Sequence, residues 1–199
     1  MQFNFTNSCT FAIQYLNMSE KDKAQEKKIK GLQKDLETND VDKQLKAVKA
    51  LKIHGNDDVV EPILLLLSRS KNDEVRKEII DLINTTKSST VPSVIANALV
   101  DARFANIRHD LLISVWSSGL DYRPYLKEIV IAGTSGEMME ALECVTIVEN
   151  MDGGFDEDQL FDPIIVLKEY LVANKSETSP KMDMLKEVLV YLQQFNNQL

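Results

Sequence analysis

The sequence predicts an all-α fold built as a stack of about four helix pairs, with one further helix at the C-terminal end. A sequence pattern recurs about every 32 residues: an apolar helical run, a short polar turn and a second apolar run with proline near its start. The first apolar runs begin 32, 32 and 30 residues apart, at Ala47, Ile79, Leu111 and Ala141. The prolines follow at intervals of 30, 32 and 39 residues, at Pro62, Pro92, Pro124 and Pro163. A fixed period of this length is typical of stacked repeats, and no sustained two-residue alternation predicts strands.

Length and composition predict a single domain without a membrane-spanning helix. The chain has 199 residues, of which 44% are hydrophobic, and this suffices for one core. The longest purely aliphatic run, from Ile63 to Leu67, is far shorter than the roughly 20 residues of a membrane-spanning helix. The two cysteines, Cys9 and Cys144, fit neither a disulfide framework nor a zinc-ligand spacing. This cysteine usage favours the reducing cytoplasm.

Residues 1–19 are predicted to form a disordered leader. The first 17 residues hold no lysine, arginine or acidic residue, whereas the chain from Met18 opens like an ordinary soluble protein. No basic residue precedes the apolar stretch from Cys9 to Leu16, so we do not expect a secretory signal. Two explanations stay open for this segment: a start codon assigned too early, or an ordinary disordered terminus.

Charge is distributed unevenly along the chain. Residues 1–54 carry ten lysines and seven acidic residues, whereas residues 55–199 carry 13 basic and 24 acidic residues. The stretch between Lys127 and Lys168 holds ten acidic residues and no basic residue. We call its part from Glu137 to Asp162 the acidic ridge. Nucleic acid is not an expected ligand, because phosphate recognition depends on clustered basic side chains.

The first predicted elements are a charged helix and one helix pair. Residues 20–38 are rich in lysine and glutamate and predict a solvated helix that leads into the array. An apolar stripe with helical spacing follows in the first unit, residues 39–71, and consists of Leu45, Val48, Leu51 and Ile53. We expect Asp57 or Asp58 to cap the second helix of this unit, with Pro62 in its first turn.

The second and third units repeat this plan over residues 72–103 and 104–134. Asn72 is the predicted N-cap of the second unit, and Gly119 ends the first helix of the third. The inner stripe of the second unit consists of Val75, Ile79, Leu82 and Ile83. The corresponding stripe of the third unit consists of Ile107, Leu111, Leu112, Val115 and Trp116.

The fourth unit, residues 135–175, contains the one long interruption of the pattern. An acidic loop from Asn150 to Asp158 stretches the period, and Asp162-Pro163 is expected to start the next helix. Ser179-Pro180 begins a last helix in the same manner. Residues 176–199 therefore predict a helix that caps the open end of the stack.

Two segments carry a family resemblance. Asn72-Asp-Glu-Val75-Arg76 and Asn106-Ile107-Arg108 place an apolar residue and an arginine at the start of a repeat. Over about residues 40–175 the chain resembles HEAT-repeat proteins. The resemblance implies a right-handed α-solenoid whose second helices line a concave surface that holds a protein or peptide. It also implies that Asp73 and the two arginines form a ladder between successive units.

HEAT-like scaffolds also occur in enzymes, such as bilin lyases and alkylpurine DNA glycosylases, so their chemistry would have to be visible in the residues. His54 and His109 lie 55 residues apart without nearby cysteines and do not fit a zinc site. The segment from Asp152 to Asp158 lacks the EF-hand order and favours a solvated loop over a calcium site. No nucleophile elbow or phosphate loop is present, and Cys144 occupies a core position. We expect no catalytic residue, metal or cofactor.

One corner of the third unit keeps an enzymatic alternative open. Trp116, Asp121, Tyr122 and Arg123 lie close in sequence and could surround a damaged base, as a DNA glycosylase requires. Trp116 is predicted to belong to the core, since it continues the apolar stripe. The acidic balance of the chain also opposes binding to DNA.

The sequence thus predicts a non-enzymatic cytoplasmic scaffold or adaptor that binds another protein or peptide on the concave face or the acidic ridge. A basic partner segment would suit the ridge, although its acidity could serve solubility alone. The candidate contact residues are Glu61, Arg69, Asn97, Asp101, Arg123, Lys127, Glu128, Asp156, Glu157 and Asp158, with Lys168 and Glu169 in addition. Two alternatives stay open: a glycosylase-like or enzyme-accessory module, and a self-assembling structural module. We expect a monomer or weak homodimer and no membrane partner.

Overall fold

The structure is a computed structural model that describes residues 20–55 and 57–198. Over these residues it contains ten α-helices, three short 3-10 segments and no strand, which confirms the predicted all-α class. None of the described helices has the length and apolar character that crossing a membrane requires. The predicted leader, residues 1–19 including Cys9, lies outside the described residues.

The helices are, in chain order, α1 (Glu20–Glu37), α2 (Val41–His54), α3 (Val60–Arg69), α4 (Asp73–Thr85), α5 (Val91–Val100), α6 (Arg108–Ser117), α7 (Leu126–Ser135), α8 (Met138–Glu149), α9 (Glu157–Ala173) and α10 (Pro180–Asn196). The 3-10 segments Asp57–Val59, Ala102–Ile107 and Arg123–Tyr125 precede α3, α6 and α7.

The helices pack in two interleaved rows. Each odd-numbered helix contacts the next odd-numbered helix, from α1 to α9, and each even-numbered helix contacts the next even-numbered one, from α2 to α10. Each odd helix also packs along the even helix that follows it. Among helices that are consecutive in the chain, the pairs in closest contact are therefore α1 with α2, α3 with α4, and so on to α9 with α10. In this arrangement α1 and α10 are regular members of the two rows.

Polar side chains start two of the helices at the residues expected. The side chains of Asn72 and Ser179 each accept a hydrogen bond from the amide three residues further on, at 3.0 and 3.3 Å. The prediction that Asp57 or Asp58 caps α3 is wrong. This helix follows a 3-10 segment, and Val59 occupies its N-cap position without a side-chain hydrogen bond.

The start of α9 also differs from the prediction. Asp156 and Gln159 form a capping box, so the helix begins at Glu157, well before the expected start at Asp162. Pro163 consequently lies inside α9. The acidic residues from 156 to 158 thus occupy a helix N-terminus, where the positive end of the helix dipole favours negative charge.

The core lies between the two rows and contains the inner stripes of the helices. Leu111 and Leu112 of α6, for example, have no exposed surface. Two residues predicted for the core lie on the surface: Ile53 is 75% exposed and Trp116 is 50% exposed. Ile53 follows the buried Leu51 by two residues, and this spacing places the two side chains on different faces of a helix.

Basic side chains bind the C-terminal ends of four odd helices, α1, α3, α5 and α7. Arg76 and Arg108 each donate a hydrogen bond of 2.9 Å to the carbonyl nine residues earlier, in the last turns of α3 and α5. Lys181 donates to two carbonyls at the end of α7, and Arg69 donates to one at the end of α1. The last carbonyls of a helix lack partners within it and carry the negative end of its dipole. The same stabilising interaction therefore repeats along the odd row.

Candidate functional site

Several of the predicted contact residues on the odd row are bound to charged side chains that were not predicted as contacts, Arg103 and Asp162. Glu61 Oε1 lies 3.0 Å from Arg103 Nη2, which also lies 2.7 Å from Asp101 Oδ2. Further along, Lys127 Nζ lies 2.6 Å from Asp162 Oδ2. The hydrogen bonds from Arg103 hold the pKa of Asp101 below its usual value. These exposed pairs connect neighbouring elements, although each contributes little to stability because water screens it.

The remaining odd-row candidates differ in their availability. Arg69 donates a hydrogen bond of 2.6 Å to a carbonyl of α1, so it serves a packing contact between two helices. Asn97 on α5 is exposed, and Glu128 on α7 is half-buried. Lys168 and Glu169 on α9 are exposed. These last four side chains remain available to a partner.

The acidic ridge is a solvent-facing surface. Seven of its nine acidic residues are exposed: Glu137, Glu149, Asp152, Asp156, Glu157, Asp158 and Asp162. The side chain of Asp156 caps α9, and Glu157 and Asp158 lie in the first turn of that helix. Within residues 20–55 and 57–198, neither Glu157 nor Asp158 has a basic side chain within ion-pair distance. The ridge therefore retains most of its negative charge.

A cleft of about 430 Å³ opens beside the ridge, between the turn that enters α7 and the turn that enters α9. Its lining includes the four residues that sequence places at the corner of the third unit, Trp116, Asp121, Tyr122 and Arg123. The opposite wall contains Ile147, Asn150, Met151 and Asp152. The fold thus joins one predicted cluster to residues that lie about one repeat further along the chain.

Arg123 connects the two turns of the cleft. Its Nε and Nη2 atoms donate to the two carboxylate oxygens of Asp121 at 2.9 and 2.8 Å, and Nη1 donates to the carbonyls of Gly153–Gly154 at 3.3 and 3.4 Å. The bonds to Asp121 raise the pKa of Arg123, and the negative charges of Asp152 and Asp156 act in the same direction. The same bonds hold the pKa of Asp121 below its usual value. The one guanidinium in this cleft is therefore already neutralised by the protein.

Gly154 is required by the geometry of the second turn. Its φ of 83° lies in the left-handed region, which side chains other than glycine rarely adopt. A Cβ atom at this position would also lie 3.2 Å from Nη1 of Arg123. Glycine therefore allows the arginine to approach the backbone of this turn.

Tyr122 forms the floor of the cleft and is only 2% exposed. Burial raises the pKa of Tyr122 to about 12, with Ser118 acting in the opposite direction. The phenol oxygen is buried and has no hydrogen-bond partner with acceptable geometry among the described residues, although the Ser118 hydroxyl lies close enough to affect its pKa. Tyr122 is consequently a neutral phenol throughout the physiological pH range.

Trp116 lies on the surface at the edge of the cleft, which corrects the prediction that it belongs to the core. Its Nε1 donates a hydrogen bond of 3.0 Å to Glu143 Oε2 on α8. The other oxygen of Glu143 lies 3.3 Å from Nε2 of His109, without the geometry of a hydrogen bond. Trp116 follows the buried Leu112 by four residues, but the neighbouring helix presents a carboxylate there and not an apolar side chain.

A second cleft lies on the same edge of the fold, between the turns that enter α3 and α5. It measures about 250 Å³ and is lined mainly by aliphatic residues, threonines and a serine. Its one charged lining residue is Lys52, which is paired with Asp81. This cleft lacks the acidic and aromatic side chains of the first.

Among the described residues there is no cluster of metal ligands, and the one described cysteine, Cys144, is buried. In the described part of the chain, no group of three or more histidine, cysteine, aspartate or glutamate side chains could hold a metal ion. Burial raises the pKa of Cys144 to about 12, so its thiol stays protonated and is a poor nucleophile. The cleft beside the ridge instead offers carboxylates, an indole and apolar surface, a combination suited to a cation with an aliphatic stem.

Residues that the sequence reasoning missed are linked by the repeat period. Asp110 follows its partner Arg76 by 34 residues, and Glu143 follows His109 by the same interval. A basic residue type and a carboxylate separated by about one period are therefore the signal that could have identified Asp110 and Glu143. Arg103, which binds Glu61, follows no such interval.

No protein-family model, no curated protein and no solved structure matches this chain.

Proposed function

We propose that this protein is a non-enzymatic scaffold that binds another protein through the acidic ridge and the adjoining surface of the odd row. The observation that carries the proposal is the ridge itself: seven exposed acidic residues lie in a stretch without lysine or arginine. Such a surface attracts a basic partner segment over long distances and selects against acidic partners.

The proposal includes a right-handed, HEAT-like solenoid as the scaffold. Two interleaved rows of helices are what that architecture requires, and the repeated arginine contacts at the ends of α3 and α5 support it. In this arrangement the odd row lines the concave face, which carries Asn97, Glu128, Lys168 and Glu169. We further propose a cytoplasmic location, for which the unpaired thiol of Cys144 is one argument, and a monomer or weak homodimer.

An affinity capture from the native cytoplasm tests the scaffold function. The test variant neutralises the N-terminus of α9 with Asp156→Asn, Glu157→Gln and Asp158→Asn, and the asparagine keeps a good helix cap. A matched control neutralises three exposed acidic residues elsewhere, Asp42, Asp73 and Glu74. We expect a stoichiometric protein partner that the control retains and that the ridge variant or rising salt releases. Equal retention by both variants would contradict the proposal.

A second candidate is a nucleic-acid repair or enzyme-accessory module. The grouping of Trp116, Asp121, Tyr122 and Arg123 around one cleft favours it. The electrostatics oppose it, because the arginine is bound to Asp121 and the surroundings are acidic. Recovery of nucleic acid in the capture experiment would support this candidate.

A third candidate is self-assembly, which the uneven charge of the chain favours. Residues 1–54 carry more basic than acidic residues, whereas the remainder is strongly acidic, so two copies have complementary ends. Sedimentation of the pure protein at low and moderate salt would show oligomers that dissociate as the salt concentration rises.

A further inference from the structure

The cleft beside the acidic ridge has the charge and the lining of a site for one cationic side chain. We propose that it receives the guanidinium of an arginine in the partner segment, which stacks on Trp116 and binds Asp152. This inference rests on the proposed function, because it specifies which residue of a basic partner the protein recognises.

Trp116 supplies the first part of the argument. Half of its surface is exposed, and its Nε1 atom is bound to Glu143, so the indole is held in place and its only polar group is satisfied. What it offers a ligand is therefore the face of the ring. A planar guanidinium stacks on an indole and is attracted by its π electrons, and Arg is more weakly hydrated than Lys.

The carboxylates of the cleft supply the second part. Asp121 is bound by Arg123, and this pair is neutral overall. Asp152 lines the cleft, is exposed and has no ion pair within the described residues. Asp156 is close enough to act on the pKa of Arg123. The cleft is therefore net negative, and Asp152 has free acceptor oxygens for a guanidinium.

The shape of the cleft agrees with a single side chain as the occupant. A volume of about 430 Å³ is near the lower end of the range for ligand pockets. Leu120, Ile147 and Met151 give its walls an apolar surface that the methylene groups of arginine can cover. The second cleft, next to Lys52, has no acidic or aromatic lining residue and serves as an internal comparison.

Trp116 is the only tryptophan of the chain, so its fluorescence reports on this cleft alone. The probe is a ten-residue glycine-serine peptide with three arginines, compared with peptides that carry lysine or glutamine at the same positions. We expect saturable binding of the arginine peptide with a change in Trp116 fluorescence. The lysine peptide should bind about threefold or more weakly, and the glutamine peptide should not bind.

Two substitutions that each neutralise one carboxylate separate the cleft from the general field of the ridge. Asp152→Asn should weaken binding of the arginine peptide about fivefold, because it removes the proposed salt-bridge partner. Glu157→Gln removes one charge outside the cleft and should change affinity by less than about twofold. Trp116→Leu, followed by calorimetry, should weaken binding about tenfold while the protein stays folded, since half of the side chain is exposed.

Several results would overturn the inference: no binding of the arginine peptide, equal binding of the lysine peptide, or equal losses from Asp152→Asn and Glu157→Gln. Equal losses together with a salt-sensitive partner in the capture experiment would refute only the proposed arginine site, and the scaffold function would still be supported. Binding of the arginine peptide by a protein that captures no partner would support the arginine site and contradict the scaffold function.

Discussion

Nη2 of Arg76 on α4 lies 2.5 Å from Oδ2 of Asp110 on α6, and Nη1 of the same guanidinium donates a hydrogen bond to the carbonyl of Leu67 in α3. One side chain therefore connects three helices and both rows. The HEAT resemblance implied a ladder of Asp73, Arg76 and Arg108. Asp110 is the acidic residue that Arg76 binds, whereas Asp73 is exposed and makes no ion pair among the described residues.

Replacing Arg76 with methionine should lower the free energy of unfolding by about 1–2 kcal/mol, because it removes the ion pair and the hydrogen bond to α3. The estimate stays modest because both side chains are about one third exposed and water screens their charges. Urea denaturation of Arg76→Met, Asp110→Asn and the double variant would measure the coupling.

The matched control for Arg76→Met is Lys186→Met, which removes an exposed pair with Asp183 within one helix. It should change the free energy of unfolding by less than about 0.5 kcal/mol. A coupling energy near zero between Arg76 and Asp110 would show that this contact does not hold the two helices together.

Gly133→Ala should destabilise the protein because α7 approaches α8 closely at this residue. A Cβ atom there would lie 2.9 Å from Cβ and 3.2 Å from Sγ of Cys144, and 3.6 Å from Leu185 on α10. Overpacking of this kind costs about 1–3 kcal/mol, which exceeds the gain of up to about 1 kcal/mol that alanine brings to a helix.

The control for Gly133 is Gly31→Ala in α1, where no described atom beyond the adjacent residues and the backbone of the same helix lies within 4 Å of the added methyl group. This variant should be more stable than the wild type by about 0.5–1 kcal/mol, since only the helix propensity changes. Thermal unfolding followed by circular dichroism compares the two. If Gly133→Ala melted at or above the wild-type temperature, the close packing of α7 on α8 would be refuted.

The helix starts show what local chemistry can predict. Asn72 and Ser179 cap their helices as expected, because a cap depends on residues within one turn. The start of α9 could not be chosen in this way, since Asp156 and Asp162 both offer a cap within one segment. The pairing of helices was also beyond the sequence, because a periodic pattern does not fix which of two neighbouring helices packs more closely.

The candidate site was predictable only where its residues are close in sequence. Trp116 and Arg123 lie within eight residues, so their grouping was visible. Asp152 joins them through the turn of the following repeat, and that contact depends on how the units stack. The exposure of Trp116 depends on Glu143 of a neighbouring helix, which helical periodicity within α6 does not register.

Cys144 should resist thiol reagents in the folded protein. Burial raises its pKa to about 12, so the thiol is almost entirely protonated at pH 8, and no reagent reaches a side chain without exposed surface. A Cys9→Ser background isolates this thiol. A chromogenic disulfide should react only after denaturant is added, and rapid reaction of the native protein would contradict the packing of α8 between α7 and α10.

The ion pair between Asp121 and Arg123 should make the cleft sensitive to acid. Hydrogen bonds from Arg123 hold the pKa of Asp121 below its ordinary value of 3.8. The folded state therefore binds fewer protons than the unfolded state near this pH, and the pair favours folding fully only above it. The contribution is lost as the pH falls below 3.8 and passes through the lowered pKa.

Titration of the Asp121 carboxyl carbon by NMR would show the midpoint of this ionisation. Arg123→Gln should move the midpoint upwards towards 3.8, whereas the midpoint of Asp101, which depends on Arg103, should stay unchanged. A wild-type midpoint at or above 3.8, or one that Arg123→Gln does not move, would show that the arginine does not hold the first turn of the cleft in place.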